Sequence, residues 1–324
     1  MTLVQSLRRL APDRYIATLI GVVALASILP ATGAAAAHVK TATSLAIGLL
    51  FLLYGIRLAP QAVWQGLSNW RLQGLIFTAT FGLFPLLGLL IAHLAAPWLG
   101  TGFATGVVFT SLLPSTVQSS VAFTSIARGN VAAAICAASL SNLIGMLLTP
   151  LLVAVILGLK GGATGQGLRD IVEQLFLPFL AGQILRPFLA AFLARHRNIV
   201  GLVDRGSILL VVYGAFSASV AQGLWHQMNP SALAALVVVN ILLLGVMMAA
   251  TYATGRTLGF SRADRIVLLF CGSKKSLASG VPMANVLFPA AAVGPIVLPL
   301  MLFHQIQLMA CAALARRWAN RGTE

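Results

Sequence analysis

Of the chain's 324 residues, 59% are hydrophobic and only 8% carry charge, against roughly 25% charged in an ordinary soluble domain. A water-soluble monomer is thereby excluded. The net charge of +15, from 21 Lys and Arg against six Asp and Glu, suggests a polyanionic partner only until the basic residues are placed along the chain.

The apolar residues fall in runs near the roughly 20 that a helix needs to cross hydrocarbon, not in the alternating segments of about ten that build an outer-membrane barrel. Ten helical spans are predicted, at 15–30, 41–60, 72–94, 103–126, 130–158, 171–193, 206–226, 231–255, 266–289 and 294–315. With the N-terminus inside, sixteen basic residues lie at cytoplasmic ends: Arg8, Arg9, Arg14, Arg57, Arg71, Arg128, Arg186, Arg195, Arg197, Arg205, Arg256, Arg262, Arg265, Arg316, Arg317 and Arg321. Lys40, Lys160 and Arg169 fall outside this set. The asymmetry is the positive-inside rule, and it explains the charge without nucleic acid. The Arg256, Arg262 and Arg265 cluster can also touch anionic membrane lipids, but topology alone suffices to explain it. The expected location is the inner or plasma membrane, multi-pass, with both termini cytoplasmic.

Arg8, Arg9 and Arg14 precede an apolar stretch and then the small residues of Ala34 to Ala37, the layout of a secretory signal. An uncleaved first span is the favoured reading, because it leaves five spans on each side of a Gly-rich segment and returns the C-terminus to the basic side. The expected organisation is a first five-span repeat at 1–158, a connector at 159–169 and a second five-span repeat at 170–324. An odd number of spans per half makes the second enter from the opposite side, as in transporters built from inverted repeats. The connector, Gly161-Gly162-Ala163-Thr164-Gly165-Gln166-Gly167, follows no strand and reads as a linker, not a phosphate cradle.

In inverted-repeat carriers the site lies where a span of each half is interrupted, since interruption frees backbone groups to face a ligand. The fourth span carries Pro114 and then Ser115, Thr116, Val117, Gln118, Ser119 and Ser120. The ninth carries Gly272, Ser273, Lys274, Lys275 and Ser276, followed by Gly280 and Pro282. Each is the fourth span of its half. The plain alternative is a kinked helix whose hydroxyls bond back to their own turn.

A lysine at the centre of a membrane helix costs about 2.5 to 3.5 kcal/mol on insertion scales, so Lys274 and Lys275 need a reason. Asp13, Asp170, Glu173, Asp204, Asp264 and Glu324 all lie in loops, tails or span ends. The ways left to tolerate them are hydroxyl and carbonyl partners from the fourth-span break, loss of the charge through desolvation, or an anionic ligand that supplies the missing negative charge. Snorkelling of one of the two toward the cytoplasm, Lys275 ahead of Lys274, is the structural alternative. Asn142, with Ser139 and Ser141, brings polar groups deep into the fifth span, either to the break or to helix–helix bonds. His304 and Gln307 share one face of the tenth span, as cavity lining or as a tertiary bond. Cys136, Cys271 and Cys311 read as small buried hydrophobes. His38, His93, His196 and His226 form no ligand pair, so no metal or cofactor is expected.

The stretch from Gly106 to Pro150, with Pro114, the hydroxyl-rich break, Ala127-Arg128-Gly129-Asn130-Val131 and Leu148-Thr149-Pro150, resembles the bile acid/sodium symporter family. With Ser273-Lys274-Lys275-Ser276-Leu277 it most resembles the branch that includes solute carrier family 10 member 7. The resemblance implies an all-α polytopic membrane fold of ten transmembrane helices in two inverted five-helix repeats. Broken helices four and nine would cross in a core domain, and spans one, two, six and seven would form a panel. It also places Ser119 and Ser120 at the family's Ser-Asn pair. The other sodium ligands do not carry over. Ala133 and Ala137 stand at hydroxyl positions, Phe270 at a glutamate, and Lys274 and Thr80 at glutamines. Alanine, phenylalanine and an ammonium offer no oxygen. The expectation is a carrier of a small organic anion with Lys274 in place of sodium. Its candidate substrate contacts are Ser115, Thr116, Gln118, Ser119, Ser120, Asn142, Ser273, Lys274, Lys275, Ser276 and His304. A non-transporting regulator of ion entry or of another membrane protein is the alternative. An intramembrane enzyme is disfavoured, because the chain has no HExxH and no aspartate within a span.

Overall fold

A computed structural model describes residues 14–57, 69–158, 169, 172–223 and 229–320. Arg8, Arg9, Asp13, the connector glycines with Lys160, Asp170, His226, Arg321 and Glu324 lie outside the described residues.

All regular structure among the described residues is helical. In chain order the helices are α1 (Arg14–Ile28), α2 (Gly33–Arg57), α3 (Trp70–Thr78), α4 (Phe84–Leu112), α5 (Gln118–Ile126) and α6 (Val131–Leu157). They continue as α7 (Leu177–Arg195), α8 (Arg197–Val220), α9 (Pro230–Thr257), α10 (Arg262–Gly272), α11 (Leu277–Leu287) and α12 (Ala290–Asn320). One π-helical turn, Ala79–Leu83, joins α3 to α4, and another, Val172–Phe176, leads into α7.

Seven of the described helical stretches are long and apolar enough to cross a membrane: Gly33–Arg57, Trp70–Leu112, Val131–Leu157, Val172–Arg195, Arg197–Val220, Pro230–Thr257 and Ala290–Asn320. The first predicted span is a shorter apolar helix, Ala17–Ile28. Within Trp70–Leu112 the backbone turns at Gly100, whose φ of +71° suits a residue without Cβ. That turn divides the predicted third span from the first half of the fourth. The ninth is divided between α10 and α11. Two helices begin earlier than hydropathy places them, α2 at Gly33 and α8 at Arg197. In both, polar and small residues that lower hydropathy are still adequate helix formers.

The helices form two packing groups. In one, α2 lies against α7 and α8, and α1 against α8. The α2–α7 contact is close because it is made by glycines: a Cβ on Gly182 would lie 2.2 Å from the Leu52 carbonyl oxygen, the small-residue packing that substitutes for a hydrophobic drive inside lipid. In the other group α4 packs on α9 and α12, and α10 on α9 and α3. Phe84, Phe109, Phe270 and Phe303 are fully buried there. The outside is apolar too: Phe188, Val155, Ile184 and Trp98 are largely exposed, the surface that acyl chains cover.

Candidate functional site

Helix α4 stops at Leu112, because Leu113 precedes a proline and adopts φ −75°, ψ 156°, the extended geometry that a following proline imposes. The polar groups set free are taken up by α6. The Ser115 N–H donates to Ser141 Oγ at 3.0 Å, Asn142 Nδ2 donates to the Ser115 carbonyl at 2.6 Å, and Thr149 Oγ1 to the Leu112 carbonyl at 2.8 Å. Gly145 makes room for the proline, since a Cβ there would meet the Pro114 ring at 2.7 Å.

The second break has the same construction. Helix α10 ends at Gly272 and α11 begins after Ser276, whose Oγ accepts the Ser279 N–H at its N-terminus. Between them, Gln307 of α12 accepts the Lys275 N–H at 2.9 Å and donates to the Lys275 carbonyl at 2.8 Å. One residue of each break thus has both its backbone groups satisfied by the following long helix, Ser115 by Ser141 and Asn142, Lys275 by Gln307. The breaks touch each other: the Ser276 N–H donates to the Pro114 carbonyl at 2.9 Å.

Both lysines are fully buried, at 0% exposure, which rules out snorkelling of Lys275. Their ammonium groups diverge. Lys275 Nζ donates to the carbonyls of Leu113 at 2.7 Å and Thr80 at 2.8 Å. The first is freed by the break and the second belongs to the π-helical turn, where the regular bonding pattern shifts. The Phe84 ring faces this ammonium, with its centroid at 4.2 Å, close enough for a cation–π contact. Lys274 Nζ points the other way, donating to Ser119 Oγ at 3.1 Å between the rings of Phe123 at 4.7 Å and Phe270 at 5.8 Å. Among the described residues no carboxylate lies within ion-pair distance of either. An ammonium has three donors. Lys275 uses two of them, and Lys274 one.

Most of the candidate residues meet here. Thr116 Oγ1 lies 2.6 Å from Ser119 Oγ and 3.3 Å from Ser120 Oγ, and Ser120 Oγ donates to the Phe270 carbonyl at 3.1 Å. His304 Nδ1 is 2.8 Å from Gln307 Nε2, so it braces the glutamine that holds Lys275. Ser273 follows the plain alternative, its Oγ donating to the Leu269 carbonyl of its own helix at 2.6 Å. Gln118 is exposed and stands apart from these contacts. Sequence reasoning named Phe270 only as a lost sodium ligand and missed Phe123 as the other aromatic wall. Phe123 lies four residues after Ser119 on α5, a helical spacing that marks it in retrospect. Nothing in the sequence marks Phe84 as a wall of the site, whereas the π-helical turn is marked in retrospect by Pro85, which follows it by two residues and has no N–H to give to a carbonyl of that turn.

The profile of the SBF-like CPA transporter family matches residues 13–320, nearly the whole chain. The chain belongs to that family. It is a family of transporters, not of enzymes, and several apolar membrane-crossing helices agree with it. Among relatives of this SBF-like chain, the uncharacterized protein PA2026 of Pseudomonas aeruginosa is 51% identical over 315 residues, covering 97% of this chain and 95% of that one. The candidate symporter YfeH of Escherichia coli (strain K12) is 45% identical over 313 residues, 96% and 94% of the two chains. Sodium/bile acid cotransporter 7 of Danio rerio is 27% identical over 311 residues, 93% and 92%. The resemblance read from the two breaks is therefore a true family relationship.

Proposed function

We propose that this chain moves a small organic anion across the inner or plasma membrane by alternating access, with two lysine ammonium groups in place of the sodium ions of its cotransporting relatives. The observation that carries this reading is the pair of fully buried ammonium groups at the meeting point of two helix breaks, with no carboxylate partner among the described residues. A resident cation bonded to carbonyls supplies the charge that a bound metal ion would bring, and does so without a gradient. Lys275, held by two carbonyls, is the fixed charge. Lys274 keeps unused donor capacity next to the half-exposed Ser119, so it is the group that meets the substrate, with Ser119 and, bonded to it, Thr116 beside it.

The matched bracing of Ser115 by α6 and of Lys275 by α12 supports a pair of inverted five-span repeats, 1–158 and 170–324, crossing ten times with both termini cytoplasmic. The group α1, α2, α7 and α8 then moves against the rest. Among the described residues few polar contacts join the two groups, such as Tyr54 Oη donating to the Ala278 carbonyl at 3.2 Å and the Gly294 N–H donating to Ser219 Oγ at 3.0 Å, which suits a sliding interface.

A screen of organic anions against the purified chain, read as thermal stabilisation and repeated with Lys274→Met, tests this reading. Saturable stabilisation by an anion, lost in the variant, is expected. A chain that only regulated a partner protein would show no saturable response to any solute.

A further inference from the structure

A cavity of about 160 Å³ opens at the arginine-rich end of α9, α10 and α12, lined by Tyr252, Arg262, Arg265, Ile266 and Trp318. It far exceeds the ~10–15 Å³ that one water needs. Arg262 Nη2 donates to the Trp318 carbonyl at 2.9 Å, and the Arg265 guanidinium lies over the Tyr252 ring at 5.9 Å. Arg265 Nε is buried without a hydrogen-bond partner among the described residues. No carboxylate among them pairs with either arginine. Asp264, their neighbour, accepts instead from Asn130 Nδ2 and Ser261 Oγ.

The positive-inside rule explains why arginines gather at this end, but not why two enter one cavity without a counter-charge. Both belong to the opening turn of α10, where the helix dipole already favours an anion and opposes a cation. The absence of a side chain on Gly255 leaves room for the Arg265 stem, since a Cβ there would sit 3.0 Å from Arg265 Cγ. Two planar guanidinium forks match the oxygens of a phosphate. Tyr252 and Trp318, with ring centroids 5.7 Å apart, are the residue types that settle at headgroup level.

We propose that this cavity binds a phosphate group, presented by an anionic phospholipid headgroup or free in solution. The site is separate from the helix breaks and does not depend on what the chain carries.

The test uses full-length chain, stripped of lipid in neutral detergent and titrated separately with phosphatidylglycerol, phosphatidylcholine and inorganic phosphate, with thermal unfolding as the readout. A saturable rise with phosphatidylglycerol alone identifies a membrane lipid; a rise with inorganic phosphate identifies the phosphate group itself as sufficient. The double variant Arg262→Gln, Arg265→Gln is expected to weaken the response about tenfold or more, as the loss of charge-assisted bonds implies. Arg256→Gln, exposed outside the cavity, should leave it unchanged. Should the double variant not fold, Arg265→Gln alone keeps the Arg262–Trp318 bond and should still weaken binding. No response of the unaltered chain to either ligand, equal responses to phosphatidylcholine and phosphatidylglycerol, or equal losses in Arg256→Gln and the cavity variants would overturn the proposal.

Discussion

The Ser276 N–H donates to the Pro114 carbonyl at 2.9 Å, a backbone bond between two helix interruptions 162 positions apart in sequence. Neither group would be free if α4 and α10 ran on as regular helices. The bond locks the breaks together and fixes the depth at which Lys274 and Lys275 leave the chain, one toward Ser119 and the other toward Leu113 and Thr80.

The two lysines should separate in their effects. Lys275→Met leaves the carbonyls of Leu113 and Thr80 buried without a donor, each costing about 1 to 3 kcal/mol. Lys274→Met strands only one hydroxyl, and Ser119 is half-exposed with Thr116 beside it. Thermal unfolding in detergent should show a large loss for Lys275→Met and a small one for Lys274→Met, whereas the solute response should be lost in the latter.

Bracing of the breaks by the following helices gives a paired expectation. Gln307→Leu removes both backbone bonds to Lys275, and Asn142→Leu removes the bond to the Ser115 carbonyl. Each should lower stability by about 1 to 3 kcal/mol, measured by denaturant titration. Asn285→Leu, which loses only a bond within its own helix to Val281, should cost less.

Packing of α2 on α7 leaves no space for a side chain. Gly182→Val would drive carbon atoms into the Leu52 carbonyl, 2.2 Å from an ideal Cβ. Overpacking of this kind typically costs about 1 to 3 kcal/mol, and the variant should show reduced yield of folded protein on size-exclusion chromatography.

Orientation is accessible to thiol chemistry, because Cys136, Cys271 and Cys311 are all buried. Lys40 and Arg195 are exposed near opposite ends of the bundle in the proposed topology. A membrane-impermeant maleimide should label Lys40→Cys but not Arg195→Cys in intact cells; the reverse pattern would place the termini outside.

Much of this architecture is legible in the sequence because a membrane makes polarity expensive. Proline, serines and lysines inside apolar runs mark the breaks, and the lack of a nearby carboxylate is visible at once. What escaped reading is geometry without a compositional mark. At the π-helical turn Ala79–Leu83, Gly82 and the nearby Pro85 mark a disturbed helix, but no residue type shows that the Thr80 carbonyl turns to Lys275. Gln307 shared a face with His304 by spacing, yet only the fold shows that it clasps the Lys275 backbone. Hydropathy also placed the starts of α2 and α8 too late, since Gly33 to Lys40 and Arg197 to Arg205 are helical without being strongly apolar.

The most direct measurement of the central claim needs no substrate: the melting temperature of the purified chain as sodium chloride replaces choline chloride at constant ionic strength. If the ammonium groups of Lys274 and Lys275 already fill the cation positions, the melting temperature will not respond specifically to sodium. A saturable, sodium-specific rise would contradict the account.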